Sequence, residues 1–217
     1  FISYLMNVGQ LRNQGVELEI NSTNIKTKNF EWKSTFNLSH NTNKVVKLDG
    51  DQTEIVSGTQ IHKIGHSYRT FYMIEFAGIN PENGNPQFYK NDLLEDGTYS
   101  KEITEDATEA KSIMLDKHAE PTLNGGFYNS LKYKWFDLSF LFNYQFGGYS
   151  YDTWAQKTEH GGYDMEANIP TYYADSWKKP GDITKYEQFY EKSSSVAMHK
   201  ITNSRRLHST DYIRLKT

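Results

Sequence analysis

The chain has 217 residues, with 24 Lys plus Arg against 27 Asp plus Glu, for a net charge of −3. That balance lacks the basic excess of a nucleic-acid binder, and the absence of cysteine removes disulfide frameworks and thiolate metal sites. Hydrophobic residues reach only 36% while aromatics reach 15%, a lean composition for a soluble core of this size. No apolar run approaches the roughly 20 residues of a transmembrane helix. The strands of a transmembrane β-barrel are apolar on one face only and escape that test.

In chain order, Gln14 to Thr23 alternates, with Val16, Leu18 and Ile20 on one side and Glu17, Glu19 and Asn21 on the other. Period two predicts a strand with one apolar and one polar face. Asn24 to Asn29 reads as a turn. Phe30 to Asn41 alternates again: Phe30, Trp32, Phe36 and Leu38 share a face, with Ser34 as its one polar member. The two segments predict a long hairpin. A long polar region follows, from about 42 to 121. Within it, Tyr68 to Gly78 predicts a strand, Asn80 to Gly84 a turn, and Gln87 to Tyr89 a returning strand. Thr104 to Leu115 predicts a short helix. Thr122 to Tyr133 predicts a third long strand, interrupted on its apolar face by Gly125 and Asn129. After a tight turn, Phe136, Leu138, Phe140, Phe142, Tyr144 and Phe146 alternate strictly with a set that is polar except for Leu141. A second polar region runs from 150 to 204, and a final strand from near Arg205 to Thr217.

Two features need one cause. The strands are longer than the usual 5 to 6 residues or so, and the connections alternate between short and very long. Transmembrane barrels show both, with short periplasmic turns and long extracellular loops. The apolar faces would meet lipid and the polar faces a wet lumen. Trp32 and Trp135 would mark one interface, and Tyr144, Tyr149 and Tyr151 the other. A soluble antiparallel sandwich also alternates in and out, and stays open on pattern alone.

Particular stretches carry a resemblance. They are Asn13 to Glu19, Trp32, Phe36 to Ser39, Phe76 to Pro86, Pro121 to Phe127, Phe136 to Phe140, Gln145 to Gly148, and Asp211 to Lys216. In this order the chain resembles the C-terminal barrel half of SusC/RagA-type TonB-dependent outer-membrane transporters. The resemblance implies an all-β fold of antiparallel transmembrane β-barrel strands, part of a barrel of about 22 strands. Residues 1–217 would form part of a single barrel domain, with extracellular loops at about 42–121 and 150–204. The plug domain would lie outside this stretch. The implied activity is import of oligosaccharides or peptides across the outer membrane of a Gram-negative bacterium. The implied partners are a SusD-like surface lipoprotein, outer-membrane lipid, and TonB acting through an N-terminal region that the chain lacks. Phe1 follows no recognisable signal peptide, so an internal piece of a longer protein is expected. No enzyme activity and no cofactor are expected. The alternatives are a soluble β-rich glycan-binding module of a secreted protein and, behind it, a glycoside hydrolase fragment.

For ligand binding, Trp154, Tyr172, Tyr173 and Trp177 of the second long loop are the candidates, since flat rings suit sugars and apolar side chains. The competing reading is that such rings pack the loop on itself. Asn91 to Gly97 looks like an oxygen-rich cation loop. Counted from Asp92, however, Leu94 and Ile103 stand where an EF-hand needs oxygen ligands, and a solvated turn is expected. His62 and His66 lack a supporting acid, so no metal site is expected. His160 to Asp164 reads as a flexible loop. No catalytic motif is present.

Overall fold

The structure is a computed structural model that describes residues 9–164, 166–190 and 201–216. Its strands are β1 (Gly9–Lys26), β2 (Phe30–Leu48), β3 (Glu54–Ser57), β4 (Gln60–Lys63), β5 (Thr70–Ile74), β6 (Phe76–Ile79), β7 (Pro86–Tyr89), β8 (Ile103–Thr104), β9 (Ser112–His118), β10 (Leu123–Tyr133), β11 (Phe136–Phe146), β12 (Tyr149–Tyr151), β13 (Leu207–Ser209) and β14 (Tyr212–Lys216), with a short helix α1 (Thr153–Thr158). The described residues fall into two compact units. One holds 9–71, 116–150 and 209–216; the other holds 72–115 and 151–208.

The first unit is built on a five-stranded antiparallel sheet in the order β1, β2, β10, β11, β14. Strands joined by short turns and strands joined by long loops alternate across it. The β1–β2 turn is closed by the Thr27 amide donating to the Phe30 carbonyl at 2.8 Å and the Phe30 amide donating to Thr27 Oγ1 at 3.0 Å. The β10–β11 turn is Lys134 and Trp135, with Lys134 at φ 54°.

Register makes the alternation of each strand into a property of the whole sheet. Ile20 faces Phe36, which faces Phe127, then Phe142, then Leu215. One residue along, the other side of the sheet reads Glu19, Asn37, Gly126, Asn143 and Arg214. A slip of one residue in any pair would throw an apolar set onto the polar side. Val16, Leu18, Ile20, Phe127, Leu138, Ile213 and Leu215 are all exposed on the apolar face, an unusually broad apolar surface for water.

The polar interruptions of that face find one another. Ser22 Oγ donates to Asn24 Oδ1 at 2.9 Å, Asn24 Nδ2 donates to Ser34 Oγ at 2.7 Å, and Ser34 Oγ donates to Asn129 Oδ1 at 2.7 Å. Trp32 Nε1 donates to the same Asn129 oxygen at 3.1 Å. A polar group without a partner is costly away from water, and this chain of contacts removes that cost for Asn129 Oδ1 and the Trp32 indole, while Asn129 Nδ2 keeps no partner among the described residues. Gly125 has a different reason. The Tyr144 ring lies across it, stacks on Phe36 at 6.3 Å, and donates from its hydroxyl to the Asn37 carbonyl at 2.8 Å. A Cβ at Gly125 would overlap both the Asn37 carbonyl oxygen and the Tyr144 hydroxyl.

Several elements depart from sequence-based expectation. β1 has 18 residues and β2 has 19, and β2 continues to Leu48. The first long connection therefore begins later than residue 42. The expected strand over Tyr68 to Gly78 is divided at Glu75 into β5 and β6. The expected helix over Thr104 to Leu115 is absent. Thr104 Oγ1 accepts from the Asp106 amide at 3.1 Å, and Asp106 Oδ1 accepts from the Thr108 amide at 2.8 Å. Such side-chain bonds compete with helix formation. Ile113 and Leu115 then alternate inward as part of β9. The final strand is not continuous from Arg205: a 3₁₀ turn at Ser204–Arg206 precedes β13 and β14, and Thr217 lies outside the described residues.

In the first unit, β3 and β4 form a small hairpin, and β4 pairs through Ile61 with Thr70. Val45, Leu48, Ile61 and Phe71 are buried there. In the second unit, β6, β7 and β8 form a three-stranded sheet. Phe88 and Ala110 form its buried centre, packed by Ile74, Phe76, Ala107 and Ile201.

Gly125→Val should lower the stability of the sheet by about 1–3 kcal/mol, the usual range for overpacking. Gly126→Ala should be close to neutral, because its Cβ would find its nearest neighbours at 3.4 Å. Unfolding midpoints of the two variants check this pair, and equal losses would contradict the role assigned to Tyr144.

Candidate functional site

The second unit gathers the aromatic residues of the long loops around a buried ionic centre. α1 begins at Asp152, whose carboxylate accepts from the Ala155 amide at 2.8 Å as an N-cap. The helix delivers Glu159 and His160, both buried. His160 to Asp164, expected as a loop, forms a turn. Gly161 and Gly162 take φ of 56° and 82°, and His160 Nδ1 accepts from the Asp164 amide at 3.1 Å. The Tyr190 amide donates to the Gly161 carbonyl at 2.6 Å.

Asn203 caps the turn that carries Arg205 and Arg206, its Oδ1 accepting from the Arg205 amide at 3.0 Å. Arg205 reaches Glu159 at 3.0 Å with one terminal nitrogen and Glu187 with the other. Arg206 Nε lies 3.3 Å from the same Glu159 oxygen. The Arg205 guanidinium also lies 4.9 Å from the Tyr186 ring centre, a cation–π distance. Burial works against the Arg205 charge, but Glu187 and Glu159 outweigh it and its pKa is raised. A forked guanidinium suits two carboxylates at once, which a lysine could not match.

The four candidate aromatics are placed differently. Trp154 stands on α1, 74% exposed, with Lys157 Nζ at 5.3 Å from its ring. Tyr172 is also exposed. It stacks on Tyr186 at 5.2 Å, and its hydroxyl donates to Glu159 Oε1 at 3.1 Å. Burial and the Glu159 charge push the Tyr172 phenol up to about 12. Tyr173 is fully buried between Tyr186 at 5.3 Å and Phe189 at 5.6 Å. Burial, then the Glu187 charge, raise its pKa.

Trp177 is half-buried and donates from Nε1 to the Pro81 carbonyl at 2.8 Å. Its ring lies where a Cβ on Gly84 would be, 2.5 Å away, and Gly84 has φ 74°. The Asn80 to Asn85 turn beneath it is held by Glu105, which accepts from Asn80, Asn83 and Asn85. Burial alone would raise the Glu105 pKa, and these three amides lower it on balance. Tyr172 and Tyr173 thus meet through Tyr186, while Trp154 and Trp177 stand apart from them. The ionic centre of Glu159, Glu187, Arg205 and Arg206 is not foreseen from sequence. The adjacent Arg pair behind an Asn-Ser cap is the one local signal for it.

The cation-loop look-alike is a turn whose two aspartates are already engaged. Asp92 pairs with Lys111 at 2.6 Å, and Asp96 accepts from the Thr98 amide at 2.9 Å. His62 is on strand β4, stacked on Tyr68 at 4.6 Å. Among the described residues no group of three or more His, Asp or Glu is placed to hold a metal ion.

The chain is similar to known proteins in sequence and in structure. It is 35% identical over 162 residues to TonB-dependent receptor P3 of Formosa agariphila, a match covering 67% of this chain and 16% of that receptor. It is 27% identical over 158 residues to TonB-dependent receptor SusC of Bacteroides thetaiotaomicron, covering 67% of this chain and 15% of SusC. The solved structure of the RagAB peptide transporter matches all of this chain and 23% of its own, with a TM-score of 0.81 and 25% identity. These likenesses support reading the chain as a stretch of a SusC/RagA-type TonB-dependent transporter. It spans 16% and 15% of the length of those two curated relatives. No family model matches it.

The Arg205 centre holds the loop aromatics in place. Arg205→Met should leave Glu159 and Glu187 buried without their shared partner and cost about 3–5 kcal/mol locally. Limited proteolysis of the complete protein should then cut within 151–190 at protease levels that leave the parent intact. Unchanged resistance would contradict the structural role of the pair.

Proposed function

We propose that the chain is part of an outer-membrane active transporter of a Gram-negative bacterium, not an enzyme. Both compact units would belong to one barrel domain, as wall strands and extracellular loops. The observation that carries this reading is the two-faced, registered sheet. An apolar row such as Ile20, Phe36, Phe127, Phe142 and Leu215 suits hydrocarbon, and the Glu19 to Arg214 row behind it suits a wet lumen. Likeness to SusC and to the RagAB peptide transporter supports import of oligosaccharides or peptides, driven through TonB, with a SusD-like lipoprotein over the extracellular loops. Exposed Trp154 and Tyr172 would offer ring faces to the ligand. Buried Tyr173 and half-buried Trp177 would contribute by holding those loops. A soluble glycan-binding module would need a layer over the apolar face, where Leu18, Ile20 and Phe127 are exposed in this stretch.

Phe127→Arg places a charge on the lipid face and should cost about 2–4 kcal/mol near mid-depth. Asn143→Arg, on the lumen face, should be tolerated. In the complete transporter, outer-membrane fractionation with heat-modifiable gel mobility should show loss of folded barrel only for Phe127→Arg. Ligand uptake should fall with Trp154→Ala while the barrel still assembles. Equal assembly of the two arginine variants would overturn the orientation.

A further inference from the structure

The polar face of the five-stranded sheet carries a cleft of about 420 Å³ at the end where the long loops leave β2 and β10. Its lining is dominated by neutral hydrogen-bonding groups: Asn13, Ser39, Asn41, Asn43 and Asn124, with the ring of Tyr68 at one side. Register brings them together. Asn13 faces Asn43 across the β1–β2 ladder, and Ser39 faces Asn124 across the β2–β10 ladder. The lining's one charged residue, Glu120, is already paired with Arg69 at 3.2 Å.

The cleft is braced rather than loose. Asn43 Oδ1 accepts from the Tyr68 amide at 2.6 Å, and Tyr68 stacks on His62 at 4.6 Å. Asn13, Asn41 and Asn124 make no side-chain hydrogen bond within the described residues, so their amides are open to a ligand. Each amide offers two donors and an acceptor. Adjacent sugar hydroxyls, each both donor and acceptor, match such groups, and an aromatic ring covers the apolar face of a pyranose. The size fits a small-molecule site. A peptide is less well served. Strand-like peptides pair with a free sheet edge and seat side chains in apolar pockets. This cleft lies on the face of paired strands, and Leu11 and Pro121 are its only aliphatic lining.

We propose that this amide-lined cleft is a binding subsite for a neutral, hydroxyl-rich saccharide unit. The inference rests on the transporter reading above and names the substrate class for it. The lack of a free charge in the lining disfavours acidic or basic ligands, which would gain no counter-ion there. Tyr68 would lie along the ring face, and Asn41 and Asn124 would take the hydroxyls.

The test uses the complete transporter, extracted from outer membranes in detergent. It is presented with an array of neutral oligosaccharides of the cello, malto, manno and xylo series and with an array of short peptides. The parent should bind neutral glycans. The double variant Asn41→Ala with Asn124→Ala, and separately Tyr68→Ala, should each weaken that binding about tenfold while the folded barrel persists. Asn124→Leu, close in volume and suited to a strand, serves if the double variant fails to assemble. Glycan binding unchanged in assembled variants overturns the proposal. So does binding to peptides alone, or to neither array. A parent protein absent from the outer membrane would take down the transporter reading together with the cleft. Correct localisation with unaltered glycan binding would take down the cleft only.

Discussion

Backbone pairing between long antiparallel strands is the constraint on which the rest depends. Each strand alternates by itself, but only the ladder makes Ile20, Phe36, Phe127, Phe142 and Leu215 a single row across the sheet. The opposite row is polar for the same reason. Side chains on the two faces can then serve two different solvents, which explains how a chain with only 36% hydrophobic residues can form a membrane wall. The exceptions to the pattern obey the same demand. Asn129 Oδ1, Ser34, Asn24 and Trp32 hydrogen-bond one another on the apolar side, and Gly125 gives way so that Tyr144 can cap the Asn37 carbonyl.

The loops solve a different problem. They have few aliphatic residues to bury, so order comes from polar contacts of high specificity. Glu105 gathers three asparagine side chains to fix one turn. Arg205 joins Glu159 from one segment to Glu187 from another and lies against Tyr186. Aromatic rings fill the space around that centre, which is why Tyr173 is buried while Tyr172, its sequence neighbour, keeps a free face. A stiff support with an exposed ring is what the proposed ligand contact would need.

The sheet was legible in sequence where alternation was strong, and silent where it was not. β11 is the clearest case: its apolar set is uninterrupted, and its ends match expectation. β2 continues beyond Asn41 through Thr42, Asn43 and Lys44 because pairing with β1 needs only backbone groups, which composition does not report. The helix expected over Thr104 to Leu115 failed because Thr104 and Asp106 take local side-chain bonds instead. Of the loop aromatics, sequence could name the rings but not say which would be buried, since that depends on Glu159, Glu187 and Arg205 meeting over long separations. The amides of the proposed saccharide subsite were visible one by one as polar strand positions. Their convergence needed the register of three strands.

The most direct test of the account is which solvent each face of the sheet meets. The chain has no cysteine, so single-cysteine variants can be read without background once any cysteine elsewhere in the complete protein is replaced by serine. Leu18→Cys, Leu38→Cys, Phe127→Cys and Phe142→Cys report the apolar face; Glu19→Cys, Asn37→Cys and Asn143→Cys report the polar face. In the complete protein in its membrane, a charged maleimide should label the second set and spare the first. A fluorophore attached before reconstitution should be quenched by lipid-borne quenchers only in the first set. Labelling that ignores the alternation, or that favours the apolar positions, would contradict the orientation of the sheet and the transporter reading built on it.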